Sequence, residues 1–394
     1  MEKAQKKHRS AASAAAGAGV GEIVGDASAA AADAAADTGA GGAAGAGGAG
    51  AGVGTLTATR IAGLVEEAVV SLACTLRADY RKALEAAVAC ESNERGRKVL
   101  GQLLENARLA AAEQLPICQD TGYVWVLLEV GGALYVPADI FSGVNAAVAR
   151  AYTEAGLRKS MLRDALLERV NTGDNAPAFC ELRFVEEAGA KVAAAGAAAT
   201  AGAAAGAAAT AAAGAATVAS AKNTAVLHIM LKGGGSDNAS RLVMLAPGAG
   251  EAGVREVVLA TLREKAANAC PPLVVGVGVG STFDKVAGLA KRALLRPIGT
   301  ANPSTRLQTL EQDWLAQINA LGIGPGGFGG DTTALAVHIQ TAPCHIAALP
   351  VAVNIGCGAL RSVSINLLAK EGSSPAAGDE PPHAAPAPAP APAP

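Results

Sequence analysis

Cys118, Cys270 and Cys357 are the side chains best placed for chemistry in this sequence. Cys118 sits in Pro116-Ile117-Cys118-Gln119-Asp120-Thr121-Gly122, Cys270 in Ala269-Cys270-Pro271-Pro272, and Cys357 in Asn354-Ile355-Gly356-Cys357, with Arg361 four residues on. Turn formers and polar groups flank each, as expected of residues presented at a cleft. None of the three pairs with another at the two- to four-residue spacing usual in structural zinc sites. Three thiolates from distant segments can hold an iron–sulfur cluster. A four-iron cluster normally takes four thiolates, so three leave one iron with an open coordination position, the mark of a catalytic metal site. Zinc is the other metal reading, with His345 or Cys344 as a fourth ligand.

Further candidates stand near these cysteines or carry charge of their own. Gln119 and Asp120 follow the first cysteine directly. Asp120 is suited to acid–base work, although Asp-Thr-Gly is also ordinary turn chemistry. Lys232-Gly233-Gly234-Gly235-Ser236 reads as a strand end running into a glycine turn, whose N–H groups can line an anion site beside a lysine. The series Gly276, Gly278, Gly280 resembles a dinucleotide loop superficially. It lacks the GxGxxG spacing, and the region about 20 residues on is basic rather than acidic. We read it as a close-packed turn below Cys270.

These residues need a scaffold, and composition bounds it. The chain has 394 residues, a formal net charge of −2 and 51% apolar residues. That charge gives no electrostatic case for nucleic acid or an anionic membrane. Residues 1–54 and 187–221 are mostly Ala and Gly, and 373–394 end in alternating Ala-Pro. Such tracts carry few large apolar side chains and are expected to stay outside the core. Roughly 280 residues remain, enough for one large domain, placed at 55–372 with 187–221 as an insert. The basic start, with Lys3, Lys6, Lys7 and Arg9, fits either a transit segment or a plain tail. Seven cysteines without a secretory signal indicate free thiols or metal ligands in a reducing compartment, cytoplasmic or organellar. Cys74, Cys90 and Cys180 read as small buried hydrophobes.

Periodicity predicts a helix from Leu56 to about Glu91, another over 95–113 stopped by Pro116, a strand over 123–130 and a helix over 143–155. Strands are expected at 177–185 and 224–231 around the insert, and at 273–279, 334–340, 351–355 and 361–367. Helices are expected at 253–267, at 282–295 with Phe283, Val286, Leu289, Ala290 and Ala293 on one face, and at 304–321. Helices first, then mixed sheets and helices, make an α+β fold.

PICQDTG, LKGGGSDN (231–238), the segment 269–295, the segment 318–339 and CHIAALPVAVNIGC (344–357) occur in one order. Together, from about Leu56 to Leu368, they resemble the α-type catalytic part of class I fumarases and tartrate dehydratases. The resemblance implies a [4Fe-4S] cluster on Cys118, Cys270 and Cys357. It implies a substrate site with Gln119, Arg158, Lys232 and Gly234, and catalytic roles for Asp120 and His345. Arg158 matches a Leu-Arg-x-Ser pattern, and His345 matches a histidine that touches bound substrate. The implied reaction is hydration or dehydration of a four-carbon dicarboxylate, fumarate/malate first and tartrate next. Gly326-Gly327-Phe328 departs from the Gln and Leu common in the family. Nothing after Leu368 resembles the β-type domain of the single-chain enzymes. The expected partners are therefore a small dicarboxylate, a separate β-type subunit and further copies of the chain. A non-enzymatic iron–sulfur sensor or assembly subunit is the alternative.

Overall fold

Alternation along β1 (Tyr123–Gly131) sets up the layers. Val124, Val126, Leu128 and Val130 enter one core, and Trp125 and Leu127 enter another, because successive strand side chains face opposite ways. The structure is a computed structural model that describes residues 56–132, 134–185 and 223–368. The tracts 1–54, 187–221 and 373–394 lie outside the described residues.

Two four-stranded mixed sheets form the frame. In the first, β1 pairs in parallel with β2 (Phe179–Val185) and antiparallel with β3 (Thr224–Lys232), which pairs with β8 (Arg361–Asn366). In the second, β4 (Arg241–Leu245), β7 (Leu349–Gly356), β5 (Leu273–Ser281) and β6 (Ala334–Cys344) lie in that order, with only β5 and β6 parallel. Helices α1 (Ala58–Cys74) and α4 (Val144–Glu154) share a core with one face of the first sheet. Helices α6 (Gly250–Lys265) and α8 (Thr305–Asn319) do the same for the second. A third core joins the sheets through α2 (Ala78–Cys90) and α3 (Glu94–Glu113). There Tyr80, Leu84 and Leu100 meet Trp125, Met230, Val274 and Leu360. The α+β expectation is met.

Several local expectations need correction. The helix expected over 56–91 is two helices, because Thr75 and Arg77 are extended. The break sends Leu76 into the core between the sheets. Arg77 holds it, bonding Asp79, the Leu294 carbonyl and Ser362. Gly276 and Gly278 are not a turn but lie within β5, where α7 (Phe283–Ala293) packs on the strand. A Cβ at either position would lie 2.2 or 2.5 Å from the Ala290 or Val286 carbonyl oxygen, so only glycine admits the helix. Phe283 is exposed rather than packed with Val286 and Ala290, and Cys90 is exposed while Cys74 is buried. Strand β4 and the short helix α5 (Gly234–Asn238) are additional elements. Among the described residues no helix is long and apolar enough to cross a membrane.

Candidate active site

Strand register brings the cysteine loops together. Tyr123 opposes Lys232, and Leu231 opposes Arg361. The loop before β1, the turn after β3 and the start of β8 therefore lie at one end of the first sheet. In the second sheet Val274 opposes Gly356, which places Cys270, before β5, beside Cys357, after β7. The segment from Cys357 to Arg361 passes from one sheet to the other, so both sheets contribute to one site.

Backbone contacts fix this convergence. Gly358 N–H donates to the Cys270 carbonyl at 2.9 Å. The buried Tyr80 hydroxyl donates to the carbonyls of Pro272 and Cys357, at 2.8 and 3.0 Å. Cys270 has φ 57°, ψ 64°, a left-handed conformation that costs a non-glycine residue about 1–2 kcal/mol. Burial, then the negative fields of Cys357, Cys118 and Asp120, push the Cys270 thiol up. All three thiols are free. Among the described residues no three His, Cys, Asp or Glu side chains are close enough to share one metal ion.

A cavity of about 380 Å³ opens beside the cysteine loops. Gln119, Asp120, Arg158, Lys232 and Gly234 all line it, together with Gly122, Tyr123, Ser160 and Met161. Asp120 is held at both carboxylate oxygens, accepting from Gly122 N at 3.0 Å and Gly234 N at 2.8 Å. Gly122 has φ +81°, and a Cβ there would lie 2.8 Å from the Lys232 carbonyl oxygen. The contact seats the Cys118 loop on the turn after β3. Arg158 is exposed, while its carbonyl accepts from Thr121 Oγ1 at 2.6 Å. Gln119 Oε1 accepts from the Cys118 thiol at 3.4 Å.

The glycine turn differs from the anion cradle expected from sequence. Its Gly234 N–H is already given to Asp120. Lys232 is 1% exposed, bonds Ser236 Oγ at 2.9 Å and pairs with Asp237 at 3.3 Å. Burial lowers the Lys232 pKa, against the opposing pull of Asp237 and Cys357. Behind the cavity, Lys291 of α7 donates to the Tyr123 hydroxyl at 2.9 Å, which donates to Asp237 at 3.0 Å. Burial alone would raise Asp237. The ammonium groups of Lys232 and Lys291, with hydrogen bonds from Asn354 and Tyr123, outweigh it and hold the carboxyl below its usual range.

His345 does not join this group within one chain. It is exposed in the turn between β6 and β7, beside Cys344, which pairs with Ser281 at the far end of β5 from Cys270. Nine residues of β5 span roughly 26 Å at about 3.3 Å per step. His345 borders a separate, mostly apolar cavity of about 470 Å³ with Val254, Leu310 and Trp314.

Several site residues carried no readable signal. Tyr80 lies 277 positions from Cys357, the carbonyl it binds. Tyr152 donates to the carbonyls of Thr121 and Gly122, at 3.1 and 2.9 Å. Asn175, fully buried, donates to the Gly122 carbonyl and accepts from Ser160 N, at 3.1 and 2.7 Å, tying the Arg158 segment to Asp120's loop.

Known proteins are similar to this chain in sequence. The fumarate hydratase (Fumerase) family model matches residues 62–226 and 213–366. A relative from Methanocaldococcus jannaschii, provisionally named L(+)-tartrate dehydratase subunit alpha, is 34% identical over 306 residues, 77% of this chain and 95% of its own. L(+)-tartrate dehydratase subunit alpha from Escherichia coli strain K12 is 29% identical over 271 residues, 69% of this chain and 78% of its own. The protein of that name from Shigella boydii gives the same figures.

Proposed function

The chain belongs to the fumarate hydratase (Fumerase) family, and from that premise we propose that it is the α-type subunit of a [4Fe-4S]-dependent hydro-lyase acting on a four-carbon dicarboxylate. The observation that carries the proposal is a cavity lined by Gln119, Asp120 and Arg158 next to the free Cys118, with the loops of the free Cys270 and Cys357 joined through Gly358 N–H and the Cys270 carbonyl. Cys118, Cys270 and Cys357 would hold the cluster. When bound, it supplies a Lewis-acidic iron with an open position, which makes a substrate hydroxyl a better leaving group.

This chain's side chains do the rest. Arg158 has no carboxylate partner among the described residues and can bind one substrate carboxylate through two parallel N–H bonds. Asp120, fixed at both oxygens, would take the proton from the substrate carbon as the hydroxyl leaves and return it to carbon in the reverse direction. Gln119 orients the polar groups beside Cys118. Lys232 and Lys291 face the Asp237 and Glu181 carboxylates behind the cavity, so the exposed cation on its wall is Arg158, which favours an anionic substrate. A cluster sensor would need no such carboxylate-binding cavity.

His345 enters the proposal through a second copy. Its resemblance to a substrate-contacting histidine and its distance from Asp120 are reconciled if a neighbouring chain's hairpin brings it to the cavity. The relatives are named α subunits, which supports a separate β-type partner. Fumarate/malate is the expected first substrate, while the relatives' names favour tartrate. The deciding experiment is an anaerobic assay of iron-loaded protein, with and without a β-type partner, on malate, fumarate and L-tartrate. Turnover that disappears with iron in Cys270→Ser is expected. Full iron retention in Cys270→Ser, or no turnover with any of these acids, sinks the proposal.

A further inference from the structure

Arg361 is a buried cation whose hydrogen-bonding partners are incomplete. It is 1% exposed, yet Nε and Nη1 have no acceptor among the described residues. Arg296 is also mostly buried and short of an acceptor at Nε, but the Glu311 carboxylate compensates its charge. Lys232, as deeply buried, has Asp237. No carboxylate lies within ion-pair distance of Arg361 among the described residues. Burying an unpaired charge is costly unless an anion and hydrogen-bond acceptors offset it.

The surroundings indicate where that anion belongs. Arg361 begins β8 opposite Leu231, one residue from Lys232. It follows Cys357 by a turn closed by Leu360 N donating to the Cys357 carbonyl at 3.0 Å. Its Nη2 donates to the Asp120 carbonyl at 2.8 Å, two residues from Cys118. The guanidinium therefore ties the first cysteine loop to the third. A carbonyl supplies no full negative charge, whereas cluster-bound cysteines are thiolates.

We propose that Arg361 is the buried counter-cation of the anionic group held by Cys118, Cys270 and Cys357. Nη2 fixes the Asp120 main chain, and Nε–H and Nη1–H lack an acceptor that cluster or thiolate sulfur would supply. The inference rests on the cysteine assignment above. It makes Arg361 a positioning residue that also sets the cluster's electrical environment. Net charge and hydrogen bonds to sulfur govern the reduction potential of such clusters. A nearby cation favours the more negative, reduced form, so removing it lowers the potential.

The test uses full-length protein reconstituted anaerobically with iron and sulfide, followed by redox titration of the cluster. Arg361→Gln keeps N–H donors and loses the charge. Arg361→Lys keeps the charge and loses the fork. In Arg361→Gln the reduction equilibrium should shift at least tenfold toward the oxidised form, about 59 mV for a one-electron couple. In Arg361→Lys it should stay within threefold of wild type. A role confined to holding the loop would lower iron content or melting temperature in both variants without separating their potentials, and that pattern overturns the proposal. So does a wild-type potential in both, which marks an arginine satisfied by water. If Arg361→Gln does not fold, Arg361→Met, which also removes the charge at similar volume, takes its place: a shift of at least tenfold beside an unshifted Arg361→Lys supports the inference, and a wild-type potential overturns it. Wild-type protein that binds no iron overturns the cysteine assignment itself and this inference with it, an outcome distinct from iron-loaded variants with unaltered potentials.

Discussion

Asp120→Asn probes the site at its most constrained point. The carboxylate accepts one N–H at each oxygen, from Gly122 and Gly234. An asparagine offers one oxygen and one NH₂ group, so one of these N–H donors loses its acceptor and meets another donor. The Gly234 bond is exposed and the Gly122 bond partly buried, so the loss is that of an ordinary hydrogen bond, about 0.5–1.5 kcal/mol. The loop has little room to adjust, because a Cβ on Gly233 would already lie 3.2 Å from Asp120 Oδ2. Proton transfer by a positioned group contributes about 10²–10⁴ in rate, or roughly 3–5 kcal/mol at about 1.36 kcal/mol per decade. The variant should therefore melt lower and lose kcat by two to four decades, while Cys118, Cys270 and Cys357 still load iron. Anaerobic turnover with a β-type partner, normalised to iron content, measures the effect. A kcat within threefold of wild type at equal iron would refute the role of Asp120, and an unchanged melting temperature the reading of its two hydrogen bonds.

Three further outcomes are expected. Mixing or co-expressing Asp120→Asn with His345→Ala should restore about a quarter of wild-type activity, since random two-fold pairing gives half mixed dimers with one intact site each; no recovery would place His345 outside a shared site. Tyr80→Phe strips the hydrogen bonds from the Pro272 and Cys357 carbonyls, and should cost about 1–3 kcal/mol and speed iron loss to a chelator; an unchanged loss rate would show that the cysteine loops hold without it. His338 is buried, and burial, then Arg296, pushes its pKa down to about 4. The folded protein thus binds fewer protons, so stability is full above the unfolded value near 6.5 and falls as pH drops toward 4, by roughly 3 kcal/mol. Urea midpoints at pH 7 and 4.5 should show a smaller difference in His338→Asn, and equal pH dependence in variant and wild type would assign the acid lability elsewhere.

Long periodic segments were legible from sequence because local packing decides them. The pattern of Val99, Leu100, Leu103 and Leu104 predicts α3, and alternation over 123–130 predicts β1. The motifs around Cys118, Arg158 and Lys232 likewise selected residues that now line one cavity. Other features depended on contacts distant in the chain. The break at Thr75–Arg77 follows from a core formed with Trp125 and Val274. Gly276 and Gly278 looked like a turn because the sequence does not reveal that α7 lies across β5. Only the register of β7 against β5 places Cys357 at the Cys270 end and His345 at the other. The motif spacing of His345 was visible in one dimension, but its position at a hairpin tip was set by strand direction. Arg361 was visible as a charge four residues after a cysteine; its burial without a countercharge appears only when two sheets close over it.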